Sequence, residues 1–183
     1  YASIRYKHLL RWQDKWIDPA LRGGVPKGEV AEITLGTALE LELAKLGGKA
    51  LFVTTLDETK CYDSVIRDIA FGGAEDLGCP SGLIDSQKRF YAGLLRTFKY
   101  QGTPGTLWLT QHSIAQGCAL SQIWINVTVH FWAKLIESRV PEVRTSAFID
   151  DRSLRIEKQE HMDAALYLTT LYDKLTGKES NPA

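Results

Sequence analysis

"RTSAFIDDRSLRIE", residues 144–157, sets two aspartates side by side in a stretch that otherwise reads as strand. Phe148, Ile149, Leu154 and Ile156 call for burial, whereas Asp150 and Asp151 call for water, a cation or a turn. Two readings compete: a hairpin turn, since Asp suits tight turns, or a metal site at the tip of a hairpin. The dipeptide alone does not decide between them, so the partners matter.

A second acid closes a second strand. "KALFVTTLD", residues 49–57, is a short apolar and β-branched run that ends on Asp57. If the two strands are neighbours in one sheet, the acids meet at one edge. Clustered carboxylates repel and need a cation, and oxygen-only ligands point to Mg²⁺ or Mn²⁺ rather than zinc. Two such ions about 4 Å apart would clamp the attacking and leaving oxygens of a phosphoryl transfer. Adjacent strand residues face opposite ways, so Asp150 is expected as the main ligand and Asp151 as the looser one. Asp63, six residues past Asp57, reads as the N-cap of a helix.

The rest of the chain frames these strands. Residues 2–17 show helical spacing and stop before Pro19; 21–29 form a Gly/Pro loop; 29–48 form a helix stopped by Gly47 and Gly48. Helix signals resume near Asp63, and residues 79–102 predict a helix that opens at Pro80 and Ser81 and closes at Gly102. Residues 105–114 alternate like a half-buried strand. Residues 120–140 predict a long helix with Ile123, Val127, Phe131 and Leu135 on its apolar face, and 160–177 a last helix stopped by Gly177. The expected fold class is α+β: a small, largely antiparallel sheet backed by helices.

Composition narrows the classes. The 183 residues suit one domain, or one and a fraction, and 44% apolar content supports a core. Lys+Arg and Asp+Glu both number 22, which argues against a free-standing basic nucleic-acid binder. Cys61, Cys79 and Cys118 fit neither a zinc site nor a disulfide framework, consistent with a reducing, intracellular setting. No stretch is apolar enough to span a bilayer, so no membrane partner is expected. The chain begins at Tyr1, and Met162 is its single Met, so it reads as a window cut from a longer protein.

Three stretches, in order, resemble the palm of a reverse transcriptase of the non-LTR retrotransposon type. "LDETKCYDSV" (56–65) is similar to the first palm motif, "SIAQGCALSQIWIN" (113–126) to the second, and "FIDD" (148–151) to the third. "GGVPKGEV" (23–30) and "SIRYKHLLRW" (3–12) resemble the connection before the first motif and a helix of the fingers. The resemblance implies a partial fingers segment over 1–48 and a palm over 49–183 that ends before the thumb; "LTGKESNPA" resembles the start of a further motif. It implies an RNA-directed DNA polymerase whose partners are an RNA template, a DNA primer and dNTP, in the nucleus if the parent is a non-LTR retrotransposon protein. Asp57 and Asp150, with Asp151 nearby, would hold two Mg²⁺ or Mn²⁺ ions, one activating the primer 3′-hydroxyl and one holding the triphosphate. By the same resemblance Tyr62 is the steric gate against a ribose 2′-hydroxyl, and Gln116 and Gly117 line the nucleotide pocket. Asn126 orders either its helix or the site, and Lys7 reads as a surface lysine.

The chain departs from the family pattern at several points. Ser113 and Ala115 stand where Gly and a basic residue often precede Gln-Gly, and Gln122 stands where Pro often follows Leu-Ser. Ile149 replaces a small residue and Cys61 an Ala; no metal ligand is lost, and a divergent copy, inactive as an isolated fragment, is expected. Three rivals remain. A metal-dependent nuclease is disfavoured because His8, His112, His130 and His161 fall outside the acid motifs. A catalytically dead palm kept as a nucleic-acid- or protein-binding module, and a group II intron-type reverse transcriptase, both use the same residues.

Overall fold

The computed structural model describes residues 2–178 and the backbone of residues 180–182; of the closing "LTGKESNPA", Glu179 and Ala183 lie outside that range, as does Tyr1. In chain order the elements are α1 (Ala2–Gln13), α2 (Val30–Leu46), β1 (Phe52–Glu58), α3 (Cys61–Ser64), α4 (Arg67–Asp76) and α5 (Ser81–Ala92). Four two-residue strands follow, β2 (Leu95–Arg96), β3 (Lys99–Tyr100), β4 (Thr103–Pro104) and β5 (Trp108–Leu109). The chain continues with α6 (Ser121–Arg139), β6 (Arg144–Phe148), β7 (Asp151–Ile156), α7 (Gln159–Thr176) and β8 (Ser180–Pro182).

The central sheet has the order β6-β7-β1-β8, with every pairing antiparallel. β1 and β7 pair from Phe52↔Ile156 to Asp57↔Asp151, so the two runs singled out by sequence are direct neighbours. Strand alternation then divides the sheet. Leu56, Glu58, Arg152, Leu154 and Ile156 face α6 and α7; Asp57, Thr55, Asp151, Ser153 and Arg155 face the other way, with Arg144 and Phe148 of β6. α2 crosses that second face, held by Arg155 Nη1 donating to Thr37 Oγ1 at 2.7 Å and by Glu40 near both Arg144 and Arg155.

The core lies on the α6–α7 side. Trp124 and Trp132 are fully buried; Trp124 meets Phe71 edge-on at 5.3 Å, and Trp132 Nε1 donates to Thr169 Oγ1 at 3.0 Å. α6 is buried around most of its first ten residues, wider than the expected stripe: Ile123 and Val127 are buried, Phe131 and Leu135 only half-buried, and Asn126, Thr128 and His130 lie inside.

Two local expectations are corrected. The helix from Ser81 ends at Ala92, before Gly93, not at Gly102; Thr97, Phe98 and Tyr100 prefer extended backbone, and Leu95–Arg96 pairs with Trp108–Leu109 instead. The predicted strand over 105–114 shrinks to Trp108–Leu109, because residues 110–113 are bound by a side chain rather than by a neighbouring strand. α7 stops where expected, at Gly177 with φ 72°.

Candidate active site

The three acids come to one rim of the sheet. Asp57 and Asp151 are cross-strand partners on the same face. Asp150 is the second residue of a two-residue turn between Phe148 and Asp151, and its neighbour Ile149 sits at φ 59°. The register thus places Asp151, not Asp150, opposite Asp57, while the turn delivers Asp150 from the side. The expected rank, with Asp150 as the main ligand and Asp151 the looser one, concerns ion binding; the geometry adds that a tight turn, rather than the strand pleat, sets where Asp150 stands. Lost hydration, then the Asp150 and Asp57 charges, push the Asp151 carboxyl above its ordinary range. Among the described residues no three His, Cys, Asp or Glu side chains close to metal-holding distance. The donor set still suits a hard divalent cation: all oxygen, on one rim, and mutually repelling.

Each acid strand is anchored immediately behind its acid. Glu58, next to Asp57 but on the opposite face, accepts from Lys178 Nζ at 2.7 Å through both carboxylate oxygens, with both side chains buried. Arg152, next to Asp151, pairs with Asp173 of α7 at 2.9 Å and lies 5.1 Å from the Trp132 ring. Burial, and then Glu58, push the Cys61 thiol up to about 12, so it stays neutral behind the rim. Sequence reasoning missed both ion pairs. The available signal was a charge at each strand position that alternation assigns to the core.

Tyr62 is half-buried beside the rim, and burial, Cys61 and Asp150 together raise its phenol pKa. The segment carrying Gln116 and Gly117 docks directly on it: Ile114 N donates to Tyr62 O at 2.8 Å and Ser113 N to Val65 O at 2.9 Å. Arg67 holds the approach to that segment. Its guanidinium donates to Ser113 O at 2.7 Å, Thr110 O at 2.6 Å and His112 O at 2.8 Å, with desolvation lowering its pKa. On the far side, Tyr91 Oη accepts from Ala115 N at 3.1 Å, and Ser121 Oγ donates to Ala115 O at 2.8 Å. Gln116 and Gly117 are left exposed between these anchors. Gly117 has φ 85° and no atom within 4 Å of where a Cβ would stand, so its backbone is open to close approach.

The remaining candidates fall as follows. Asp63 is not an N-cap: α3 is capped by Lys60 in left-handed conformation, and Asp63 pairs with Arg96 at 3.1 Å. The tight turn at Lys60 starts the helix three residues earlier than the expected cap would allow. Lys7 is exposed on α1. Asn126 is buried and donates to Gly23 O at 2.9 Å. Between α2 and the acid-bearing face lies a cavity of about 580 Å³, with Phe148, Thr55 and Asp151 among its walls. No helix among the described residues is long and apolar enough to cross a membrane.

Comparison with known proteins agrees with this architecture. The chain is 21% identical over 185 residues to the retrovirus-related Pol polyprotein from the type-2 retrotransposable element R2DM of Drosophila melanogaster, covering 98% of this chain and 17% of that one. Telomerase from Candida albicans, in complex with the TWJ fragment of telomeric RNA, is similar with a TM-score of 0.69 at 13% identity, over 98% of this chain and 34% of that one. Apo telomerase from Candida tropicalis gives 0.72 at 11% identity, over 98% and 35%. These likenesses show a shared α+β fold, with antiparallel strands backed by helices, and the chain spans about a third or less of each relative. Residues 5–176 match the family model described as reverse transcriptase (RNA-dependent DNA polymerase), and the chain belongs to that family.

Proposed function

We propose that the chain carries the nucleotidyl-transfer centre of an RNA-directed DNA polymerase, with residues 1–48 on the fingers side and 49–183 as the palm. The observation that supports this best is the Asp57↔Asp151 register pair, with Asp150 supplied by the adjoining turn and Tyr62 beside it. Asp57, Asp150 and Asp151 would hold two Mg²⁺ or Mn²⁺ ions. When bound, such a pair supplies activation of a hydroxyl and neutralisation of triphosphate charge. In the reaction, the primer 3′-hydroxyl gives up its proton to solvent as its oxygen bonds to the α-phosphorus of a dNTP, the bond from that phosphorus to the oxygen bridging to the β-phosphate breaks, and pyrophosphate leaves.

The chain's own contribution is positioning. Tyr62 presents a flat ring where a ribose 2′-hydroxyl would stand. Gln116 offers an amide, and Gly117 a bare backbone, to the incoming nucleotide or its template partner. The RNA template and DNA primer occupy the open face of the sheet.

The test is primer extension on an RNA template by the full-length parent protein, with dNTP and Mg²⁺ or Mn²⁺. Incorporation is expected, and Asp150→Asn is expected to abolish it while the fold persists. Incorporation that survives Asp150→Asn rejects the assignment. Tyr62→Val is expected to raise ribonucleotide acceptance, and an unchanged ratio removes the gate role.

A further inference from the structure

The loop before α2 grips the acid-bearing hairpin from outside. Arg22 N donates to Ala147 O at 2.9 Å and Ala147 N to Ala20 O at 2.9 Å, so residues 20–22 run beside β6. Gly23 comes next and lies against the turn itself. A Cβ at Gly23 would stand 2.5 Å from Ile149 N and 2.7 Å from Ile149 Cγ1, so only glycine fits. Ile149 is held there at φ 59°, a conformation β-branched residues rarely adopt. A turn in that state persists only when its surroundings over-determine it.

Those surroundings can be traced to two buried amides. Asn126 Nδ2 donates to Gly23 O at 2.9 Å and reaches Gln13 Oε1 at 3.3 Å; Gln13 Nε2 donates to Gly24 O at 3.0 Å. Gln13 is 0% exposed and Asn126 1% exposed. An amide in the buried part of α6 is costly unless satisfied, and an apolar residue would fill the same space without that penalty. What an apolar residue would not do is fix the distance from α6 to the Gly23 carbonyl. Both acceptors of the Asn126 amide lie outside its own helix, one in the loop and one on α1, so the network joins three segments at the back of one turn.

We infer that Asn126 and Gln13 are positioning residues for the acid rim, acting through Gly23 to hold Ile149 in its turn conformation and so to set Asp150 against Asp57 and Asp151. The inference rests on the reading that these acids bind divalent cations, and it adds residues on α6 and α1 that touch neither ion nor substrate.

The test is Mn²⁺ binding to the protein, followed by electron paramagnetic resonance, with near-ultraviolet circular dichroism as the check on folding. Asp57→Asn is expected to remove the bound-Mn²⁺ signal. Asn126→Ala is expected to weaken binding about tenfold in the wild-type background, the scale on which outer partners of metal ligands act. Glycine accepts a positive φ without strain, so in an Ile149→Gly background the same Asn126→Ala change is expected to have much less effect. Asn126 and Ile149 would then be coupled although joined only through Gly23. Should Asn126→Ala fail to fold, Gln13→Leu carries the same cycle. Equal losses in both backgrounds, or Asp57-dependent binding indifferent to Asn126→Ala, overturn the positioning role and leave the metal reading standing. Absence of any Asp57-dependent signal removes both.

Discussion

The two faces of the central sheet are built on opposite principles. Towards α6 and α7 the sheet is dry, and even its charges are buried in pairs, Glu58 with Lys178 and Arg152 with Asp173. Towards α2 it is polar: Ser146 and Ser153 bond each other across the strands, Arg144 and Arg155 share Glu40, and Asp57 and Asp151 stand at the rim. α2 itself buries none of its residues. One face therefore fixes the strands, and the other leaves their acids reachable. Because side chains alternate, a single residue step moves from one regime to the other, as from Asp57 to Glu58 and from Asp151 to Arg152.

The largest effect should come from breaking the dry face. Lys178→Met would leave the Glu58 carboxylate buried without its cation, at a cost of about 3–5 kcal/mol. The double change Glu58→Leu with Lys178→Met removes both charges and should recover most of that loss. Chemical denaturation of the single and double variants checks this. A small loss in Lys178→Met would mean that water reaches Glu58 and that the two faces are less distinct than the burial suggests.

A medium effect is expected at the loop that joins the site to α6, and it has the opposite sign. Ser113 sits at φ 87°, and among the described residues its buried Oγ has no partner. Ser113→Gly relieves backbone strain of about 1–3 kcal/mol, offset in part by glycine's larger unfolded entropy, for a net gain of about 1 kcal/mol. Thermal unfolding reads this directly, and a destabilised variant would show that the Arg67 clamp, not strain, dominates the loop.

The same residue explains what was legible in the sequence. Ser113 stood out as a departure from a glycine position, and the structure supplies the reason glycine belongs there. The strand ending on Asp57, the hairpin, the long helices α6 and α7 and the convergence of Asp57 with the Asp150–Asp151 pair were readable, because alternation, helical spacing and breakers are local signals. The role of Arg67 was not readable. Most of its acceptors are backbone carbonyls, those of Thr110, Ser113 and His112 lying over forty positions away, and carbonyl direction leaves no trace in residue identity. Lys178 was hidden, and Asn126 was singled out without its partner, for a related reason: each is defined by a contact more than a hundred positions distant. That the turn brings Asp150 to the side of the Asp57–Asp151 pair was not readable either, because it depends on a register that only the folded hairpin fixes.

The smallest effect is expected on the open face. Leu35, Leu39, Leu43 and Leu46 recur at helical spacing along α2, yet they are 55–82% exposed, and the helix is held to the sheet by Thr37 and Glu40 instead. An apolar stripe of this kind reads as core from sequence, but its burial contributes little where no neighbour covers it. Leu39→Lys and Leu43→Lys should therefore each change unfolding free energy by less than about 0.5 kcal/mol, the range of ordinary surface substitutions. Denaturation midpoints of the two variants beside Lys178→Met measure the contrast between faces on one scale. If either lysine cost as much as the broken ion pair, the leucines would have to be packed in solution. The polar face would then be covered as firmly as the dry one, and the acids would lose the open approach that a primer and nucleotide require.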